Sequence, residues 1–167
     1  AVFLRANTSG TAIVTETVAI LDRSGSATLS KGGRAETALS SIAYALPQRP
    51  ESLVRTCTID AYLAEQQIEA VALVKLDVEG SELAAIRGAR KALGAKSVLA
   101  LMLEFTADNM RRAHYGADDL ARELTALGYA PYAFGAGPRD FVPWEISDVE
   151  YQNILFTHDI EQVKQRV

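Results

Sequence analysis

The chain has 167 residues, of which 49% are hydrophobic and 23% charged, a composition typical of one globular domain that excludes a disordered segment. The net charge is −4 and the Lys and Arg residues are scattered, so we expect no nucleic-acid-binding surface. The single cysteine, Cys57, favours a reducing compartment. No apolar run has the roughly 18 residues of a membrane span and no signal peptide is visible, so we expect a cytoplasmic protein without membrane contact.

The first third of the chain predicts one strand and a long connection. Residues 1–10 read as the last turns of a helix, and residues 11–20, β-branched and alternating, read as a strand of about eight residues. Ser24 and Gly25 indicate a turn before a short returning strand. Residues 30–52 are rich in Gly, Ser and Ala and contain two prolines, and connections of this length are usually functional or mobile.

The remaining elements alternate between strands and helices. They are a strand at 53–59, a helix at 58–67 with Thr58 as N-cap, a strand at 71–78, a helix from Ser81 to Gly94, a strand at 97–105, a helix at 117–129 ended by Gly128, and strands at 129–134 and 151–159. This order predicts an α/β fold with a mostly parallel, doubly wound sheet. The last two strands predict an antiparallel hairpin at one edge.

The strand at 71–78 carries an unusual row of charges. Lys75, Asp77 and Glu79 alternate with apolar residues and therefore share one face of the strand. Burying unpaired charge is unfavourable, but the carboxyl end of a strand in an open α/β sheet borders the ligand crevice. Glu104, at the end of the next strand, is a candidate partner for Lys75. A solvated strand end, with Ser81 only as a helix cap, is the alternative that the spacing leaves open.

A family resemblance favours the ligand site. The segment VKLDVEGSELAAIRGA, residues 74–89, resembles the central signature of the FkbM-type methyltransferases. The positions that match it are Lys75, Asp77, Val78, Glu79, Gly80, Glu82, Gly88 and Ala89. Weaker resemblances, in the same order as in the family, occur at residues 4–7, 18–29 and 54–63 and in the last strands.

The resemblance implies a Rossmann-like class I methyltransferase that uses S-adenosylmethionine to methylate a hydroxyl of a small metabolite, sugar or polyketide-type acceptor. Asp77 and Glu79 would then lie beside the methyl donor and the acceptor, and one of them would accept the hydroxyl proton. By the same implication, Lys75 would set the local electrostatics.

The resemblance also implies roles for residues outside the charged row. Glu82 and Glu104 would support the two carboxylates from behind. Ala19 and Ile20, at the end of the family's third strand, would lie against the adenine of the cofactor.

One departure from the family pattern concerns the cofactor. The family's first two strands, with the glycine-rich turn and the acidic residue that binds the ribose, are absent from this sequence. We therefore expect residues 1–167 to be a single, N-terminally incomplete methyltransferase-like domain with a gap in its sheet. The alternative function is a non-catalytic binding or scaffolding domain that is derived from a methyltransferase and lacks the cofactor loop.

Other candidate residues have two interpretations each. His114 and His158 have no ligands at zinc-binding spacings, so we expect no metal, and His114 is either an acceptor contact or a surface histidine. Cys57 is expected to be a packed core thiol. Phe141 and Trp144 either line a substrate pocket or anchor the edge hairpin.

Overall fold

The computed structural model of the chain describes residue 8 and residues 10–30, 41–43, 50–137, 139–145 and 150–167. These residues contain eight strands and six helices. In chain order they are β1 (Ala19–Ile20), β2 (Gly25–Ser30), β3 (Glu51–Cys57), α1 (Ile59–Glu65), β4 (Val71–Leu76), α2 (Glu82–Arg87), α3 (Arg90–Gly94), β5 (Val98–Thr106), α4 (Ala107–Arg112), α5 (Ala117–Ala126), β6 (Ala130–Phe134), β7 (Phe141–Pro143), β8 (Tyr151–Thr157) and α6 (Ile160–Arg166). None of these helices has the length and apolar character that crossing a membrane requires.

The strands form two separate sheets of mixed direction. One has the order β1-β3-β2 and the other the order β4-β5-β8-β6-β7. Only β1 with β3 and β4 with β5 pair in parallel. The α/β character is confirmed, but the expectation of a mostly parallel sheet is wrong for the described residues. The connection from β6 to β7 is shorter than the dozen or so residues that a parallel crossover needs, so it joins antiparallel strands, and β8 runs antiparallel to both of its neighbours, β5 and β6.

The position of β8 corrects the predicted edge hairpin. Strands β6 and β8 pair antiparallel, but β8 lies inside the sheet between β5 and β6, and β7 forms the edge. Burial explains this order, since Ile154 and Phe156 of β8 are fully buried whereas Phe134 of β6 is 48% exposed. A strand that is apolar on both faces is stabilised in the interior of a sheet, where layers cover both faces.

The core surrounds β5, whose continuous apolar sequence is explained by burial on both faces. The larger core cluster joins Leu101 of β5 to Ile86 of α2 and Leu124 of α5. A smaller cluster joins Leu99 to Val163 of α6. The carboxyl end of β5 is thereby held beside that of β4, to which it pairs in parallel.

Two predicted helix signals are confirmed in detail. The Thr58 hydroxyl accepts a hydrogen bond from the backbone N–H of Ala61 at 3.0 Å and caps α1. Gly128 follows α5 with a φ of 76°, a left-handed conformation that favours glycine. Cys57 is buried, as expected for a core thiol.

The predicted helix at 81–94 is divided into α2 and α3 at Gly88. A Cβ atom on Gly88 would overlap the backbone oxygen of Leu21, so this approach requires glycine. The carboxylate of Asp60 accepts the N–H groups of Lys91 and Ala92, at 3.0 and 2.9 Å, and thereby starts α3. The close approach at Gly88 places the end of β1 against α2.

The first predicted strand is much shorter than expected. Of residues 11–20, only Ala19 and Ile20 belong to a ladder, opposite Thr56 and Cys57 of β3. The β-branched alternation of residues 11–18 predicts a strand, but a strand also needs a neighbour that satisfies its backbone groups. Strands β1 and β4 belong to different sheets. That two strands of the family's sheet are missing between them stays a prediction.

Two predicted segments fall wholly or partly outside the described residues. The helix expected at 1–10 is one of them. The long connection at 30–52 is the other, apart from its two ends and residues 41–43. Within that connection, Ser41 forms an antiparallel bridge with Ser30.

Candidate functional site

The charged residues lie at the end of β4 and in the tight turn between β4 and α2. Lys75 is the penultimate residue of β4, and Asp77 is the first residue after it. The backbone then takes two consecutive left-handed conformations, with φ of 50° at Glu79 and 93° at Gly80. A left-handed residue with a Cβ atom is unfavourable by itself and marks a turn that its surroundings hold in place.

Lys75 forms its ion pair with Asp77 and not with Glu104. The Lys75 ammonium lies 2.7 Å from the Asp77 carboxylate, and about half of each side chain is exposed. The hydrogen bond that the Lys75 ammonium donates to Asp77 is the main cause that raises the pKa of Lys75. Glu104 lies on the neighbouring strand, where burial and the negative charge of Asp77 raise the pKa of its carboxyl group.

Glu79 is held by a residue that the sequence did not indicate. Its carboxylate accepts a hydrogen bond from the side-chain amide of Asn109 at 2.6 Å. Burial is the largest cause that raises the pKa of Glu79, and the charges of Asp77, Glu104 and Glu82 raise it further, against the lowering effect of Asn109. The only sequence signal for Asn109 is its place directly after the carboxyl end of β5.

Glu82 binds the backbone of the turn. Its side chain is 4% exposed and accepts the N–H groups of Val78 and Gly80, each at 3.1 Å. It also accepts the hydroxyl of Tyr115 at 2.7 Å. Burial and the neighbouring Glu82 charge raise the pKa of Tyr115, so this hydroxyl keeps its proton and acts as a donor.

Ser81 occupies the N-cap position of α2, but its side chain makes no capping hydrogen bond. The residue is 4% exposed, and its hydroxyl has no hydrogen-bond partner among the described residues. A buried polar group without a partner is uncommon and points to a missing ligand or water.

A cavity of about 460 Å³ connects β1 with the turn after β4. Its lining residues are Val18, Ala19, Ile20, Leu29, Ile42, Asp77, Val78, Glu79 and Ser81. Ala19 and Ile20 are thus brought together with Asp77 and Glu79, although more than 50 residues separate them in sequence. We call this space the first cavity. One of its walls is apolar and the other carries carboxylates.

A second cavity of about 500 Å³ lies on the other side of Ile42 and Ser81, which line both spaces. Its remaining wall includes Arg23 from the turn before β2 and Tyr115 from the loop after α4. Ser41, the neighbour of Ile42, is joined to the turn after β4, because its hydroxyl donates to the backbone oxygen of Glu79 at 2.8 Å. We call this space the second cavity.

Several candidate residues lie away from the first cavity. Lys75, Glu82 and Glu104 stand behind its carboxylate wall and do not line it. His114 is exposed, and it lines neither of the two cavities, although its neighbours Ala113 and Tyr115 line the second one. Among the described residues, no group of three or more His, Cys, Asp or Glu side chains is arranged to hold a metal ion.

Phe141 and Trp144 pack within the larger sheet and do not line either cavity. The Trp144 ring meets that of Phe105 edge to face, with 5.3 Å between the ring centroids. Phe141 packs against Phe134, with 5.7 Å between centroids. This packing agrees with the interpretation of both residues as hydrophobic anchors of the sheet edge.

Comparison with known families identifies the family of this chain. Residues 7–131, which are most of the chain, match the family model of the methyltransferase FkbM domain. The chain belongs to the FkbM methyltransferase family. Neither the curated proteins nor the solved structures contain a significant match.

The FkbM match covers both walls of the first cavity. It includes β1, the turn after β4, helix α4 with Asn109 and the loop after α4 with Tyr115. The resemblance read from residues 74–89 is therefore confirmed at the level of the family. Strands β7 and β8 and helix α6 lie beyond the matched range.

Proposed function

We propose that this FkbM domain methylates a hydroxyl group of a small-molecule acceptor with S-adenosylmethionine as the methyl donor. One observation carries the proposal: the first cavity joins the apolar end of β1 to the two carboxylates that follow β4. In open α/β sheets, ligands bind at the carboxyl ends of the strands, and β1 and β4 both end at this cavity.

The residues of the first cavity fit this cofactor. Its volume of about 460 Å³ lies within the usual range for a small-molecule site. Ala19 and Ile20 offer an apolar surface for a planar base, and Asp77 and Glu79 offer negative charge for a cationic sulfonium and for hydroxyl groups. When bound, S-adenosylmethionine supplies an electrophilic methyl group.

Glu79 is the proposed base that accepts the proton of the acceptor hydroxyl. Its raised pKa makes it a stronger base than an ordinary carboxylate and brings it closer to neutral pH, where a general base is most effective. The hydrogen bond from Asn109 orients the carboxylate. Asp77 is tied to Lys75 by its ion pair, and we assign it to binding of the cofactor.

The second cavity is the proposed approach for the acceptor. It shares Ile42 and Ser81 with the first cavity, so an acceptor held there reaches the carboxylate wall along Ser81. The unpartnered Ser81 hydroxyl supplies a hydrogen-bonding group at this junction. The acceptor class that we propose is a hydroxylated small metabolite, sugar or polyketide-type molecule.

Calorimetric titration with S-adenosylmethionine tests the cofactor assignment. We expect micromolar binding by this chain and at least tenfold weaker binding by Asp77→Ala, because that variant removes negative charge from the site. The control variant is Glu161→Ala, an exposed carboxylate of α6 that is paired with Lys164. Its affinity should equal that of the unchanged chain.

Absence of binding would require the same titration on a longer protein that contains this sequence. Binding by the longer protein alone would show that the cofactor site needs the absent strands of the family fold. Absence of binding in both would favour the alternative, a non-catalytic domain derived from a methyltransferase.

A further inference from the structure

We infer that Glu82 is a positioning residue for the proposed methyl transfer: its buried carboxylate holds the backbone on both sides of Glu79 and thereby aims the Asp77 and Glu79 side chains into the first cavity. The link to methyl transfer rests on the proposed function. The role of Glu82 in holding the turn rests on the contacts of the turn itself.

The turn depends on external support. Glu79 and Gly80 are both left-handed, at φ of 50° and 93°, and Glu79 carries a Cβ atom that makes this conformation unfavourable. The N–H groups on either side of Glu79, those of Val78 and Gly80, converge on the one carboxylate of Glu82. Two donors that share an acceptor fix the backbone between them.

Glu82 is itself well satisfied. At 4% exposure, an ionised carboxylate requires several donors, and it has two backbone N–H groups and the Tyr115 hydroxyl. Tyr115 follows α4 and lines the second cavity. The Tyr115–Glu82 bond therefore fastens the turn after β4 to the wall of the second cavity.

A competing explanation is that Glu82 only stabilises the start of α2, where a negative charge is favourable. The two explanations differ in which amides they protect. A helix-start role predicts that α2 amides such as that of Ala85 lose protection when Glu82 is removed. The positioning role predicts that the Val78 and Gly80 amides lose protection first.

The conservative variant Glu82→Gln has a defined expectation. The Oε1 atom of Glu82 accepts the Val78 N–H at 3.1 Å and the Gly80 N–H at 3.4 Å, while Oε2 accepts the same Gly80 N–H at 3.1 Å and the Tyr115 hydroxyl. A glutamine oxygen in the place of Oε1 keeps the Val78 bond and the longer Gly80 bond, while its NH₂ group donates to the Tyr115 oxygen but cannot accept the shorter Gly80 bond. Glu82→Ala removes all of these acceptors.

Amide hydrogen exchange by NMR on the labelled chain is the first test. In Glu82→Ala we expect the Val78 and Gly80 amides to exchange about 10-fold faster or more, because each N–H loses its acceptor. The Ala85 amide, and that of Leu101 as a reporter of global opening, should change less than about threefold. Glu82→Gln should restore the protection of the Val78 amide and part of that of the Gly80 amide.

The matched control is Glu123→Gln. Glu123 is also a largely buried carboxylate, with 16% of its side chain exposed, and it binds Arg87 at the end of α2 and Arg90 at the start of α3. This change should leave the Val78 and Gly80 amides as they are. If Glu82→Ala does not fold, Tyr115→Phe takes its place, because it removes only the third donor to the Glu82 carboxylate. Exchange of the Val78 and Gly80 amides is measured again, and we expect it to be about threefold faster.

S-adenosylmethionine affinity gives the second readout. We expect Glu82→Ala to bind about 10-fold more weakly, Glu82→Gln to lie between it and the unchanged chain, and Glu123→Gln to bind normally. Equal exchange at Val78 and Ala85 in Glu82→Ala, or unchanged cofactor affinity in that variant, would overturn the positioning role. If neither the unchanged chain nor the longer protein binds the cofactor, the proposed function fails, and the exchange result still decides whether Glu82 holds the turn.

Discussion

The two walls of the first cavity are built in different ways. The carboxylate wall is organised within one short segment, because Glu82 binds the backbone of Val78 and Gly80 only a few residues earlier. The apolar wall at Ala19 and Ile20 is held by a two-residue pairing with β3 and by packing against α2. The carboxylate wall is therefore shaped by contacts within one sequence motif, whereas the apolar wall depends on contacts between residues that are distant in sequence.

The largest expected effect is on the carboxylate wall. Glu79→Gln keeps the shape of the side chain but removes the proposed base, and we expect methyl transfer to fall by about 10²- to 10⁴-fold with cofactor affinity within about threefold. Initial rates with S-adenosylmethionine and a hydroxylated acceptor measure this. The control is Asp108→Asn, an exposed carboxylate paired with Arg111. A normal rate in Glu79→Gln would assign the base elsewhere.

The same variant should alter the pH dependence of transfer. A base acts when it is deprotonated, so the rate should rise with pH through the pKa of Glu79. Burial and neighbouring charges raise that pKa, so the rise should lie above the range of an ordinary glutamate. Glu79→Gln should flatten this limb of the pH profile. A limb that persists unchanged would belong to another group.

A smaller effect is expected on the apolar wall. In Gly88→Ala the new Cβ would overlap the backbone oxygen of Leu21, so the end of β1 must move away from α2. We expect a loss of about 1–3 kcal/mol in the free energy of unfolding, as for other overpacked sites, measured by urea denaturation. Cofactor affinity should fall as well, because Ala19 and Ile20 move with β1.

Gly94→Ala is the control for that substitution. A Cβ atom on Gly94 would have no atom within 4 Å, and the residue lies at the end of α3. This variant should be as stable as the unchanged chain or slightly more so. Equal effects of the two substitutions would show that the Leu21 approach does not hold the apolar wall.

The smallest expected effects compare two helix starts. The Thr58 hydroxyl caps α1 whereas the Ser81 hydroxyl makes no capping bond, so Thr58→Ala should lower the free energy of unfolding by about 1 kcal/mol and Ser81→Ala should change it little. Thermal unfolding of the two variants measures the difference. A loss of stability in Ser81→Ala equal to that in Thr58→Ala would mean that the Ser81 hydroxyl supports the fold.

Sequence patterns were most reliable where the information is local. The cap at Thr58, the end of α5 at Gly128 and the apolar character of β5 all follow from spacing and residue type, because short-range sterics and burial set them. The strand at 11–20 and the position of β8 were mispredicted, because pairing depends on which strand is available as a neighbour. Asn109 was missed because an isolated amide has no sequence signature.

The sequence by itself determined the family, the charged row of Lys75, Asp77 and Glu79 and the local signals of most helices and strands, because these depend on residue order over short distances. Only the tertiary structure decided that Asn109 holds Glu79 and that β1 lines the same cavity as the two carboxylates. Those contacts join residues from separate elements. Their partners are selected by packing around β5 and by the close approach at Gly88, which no local pattern encodes.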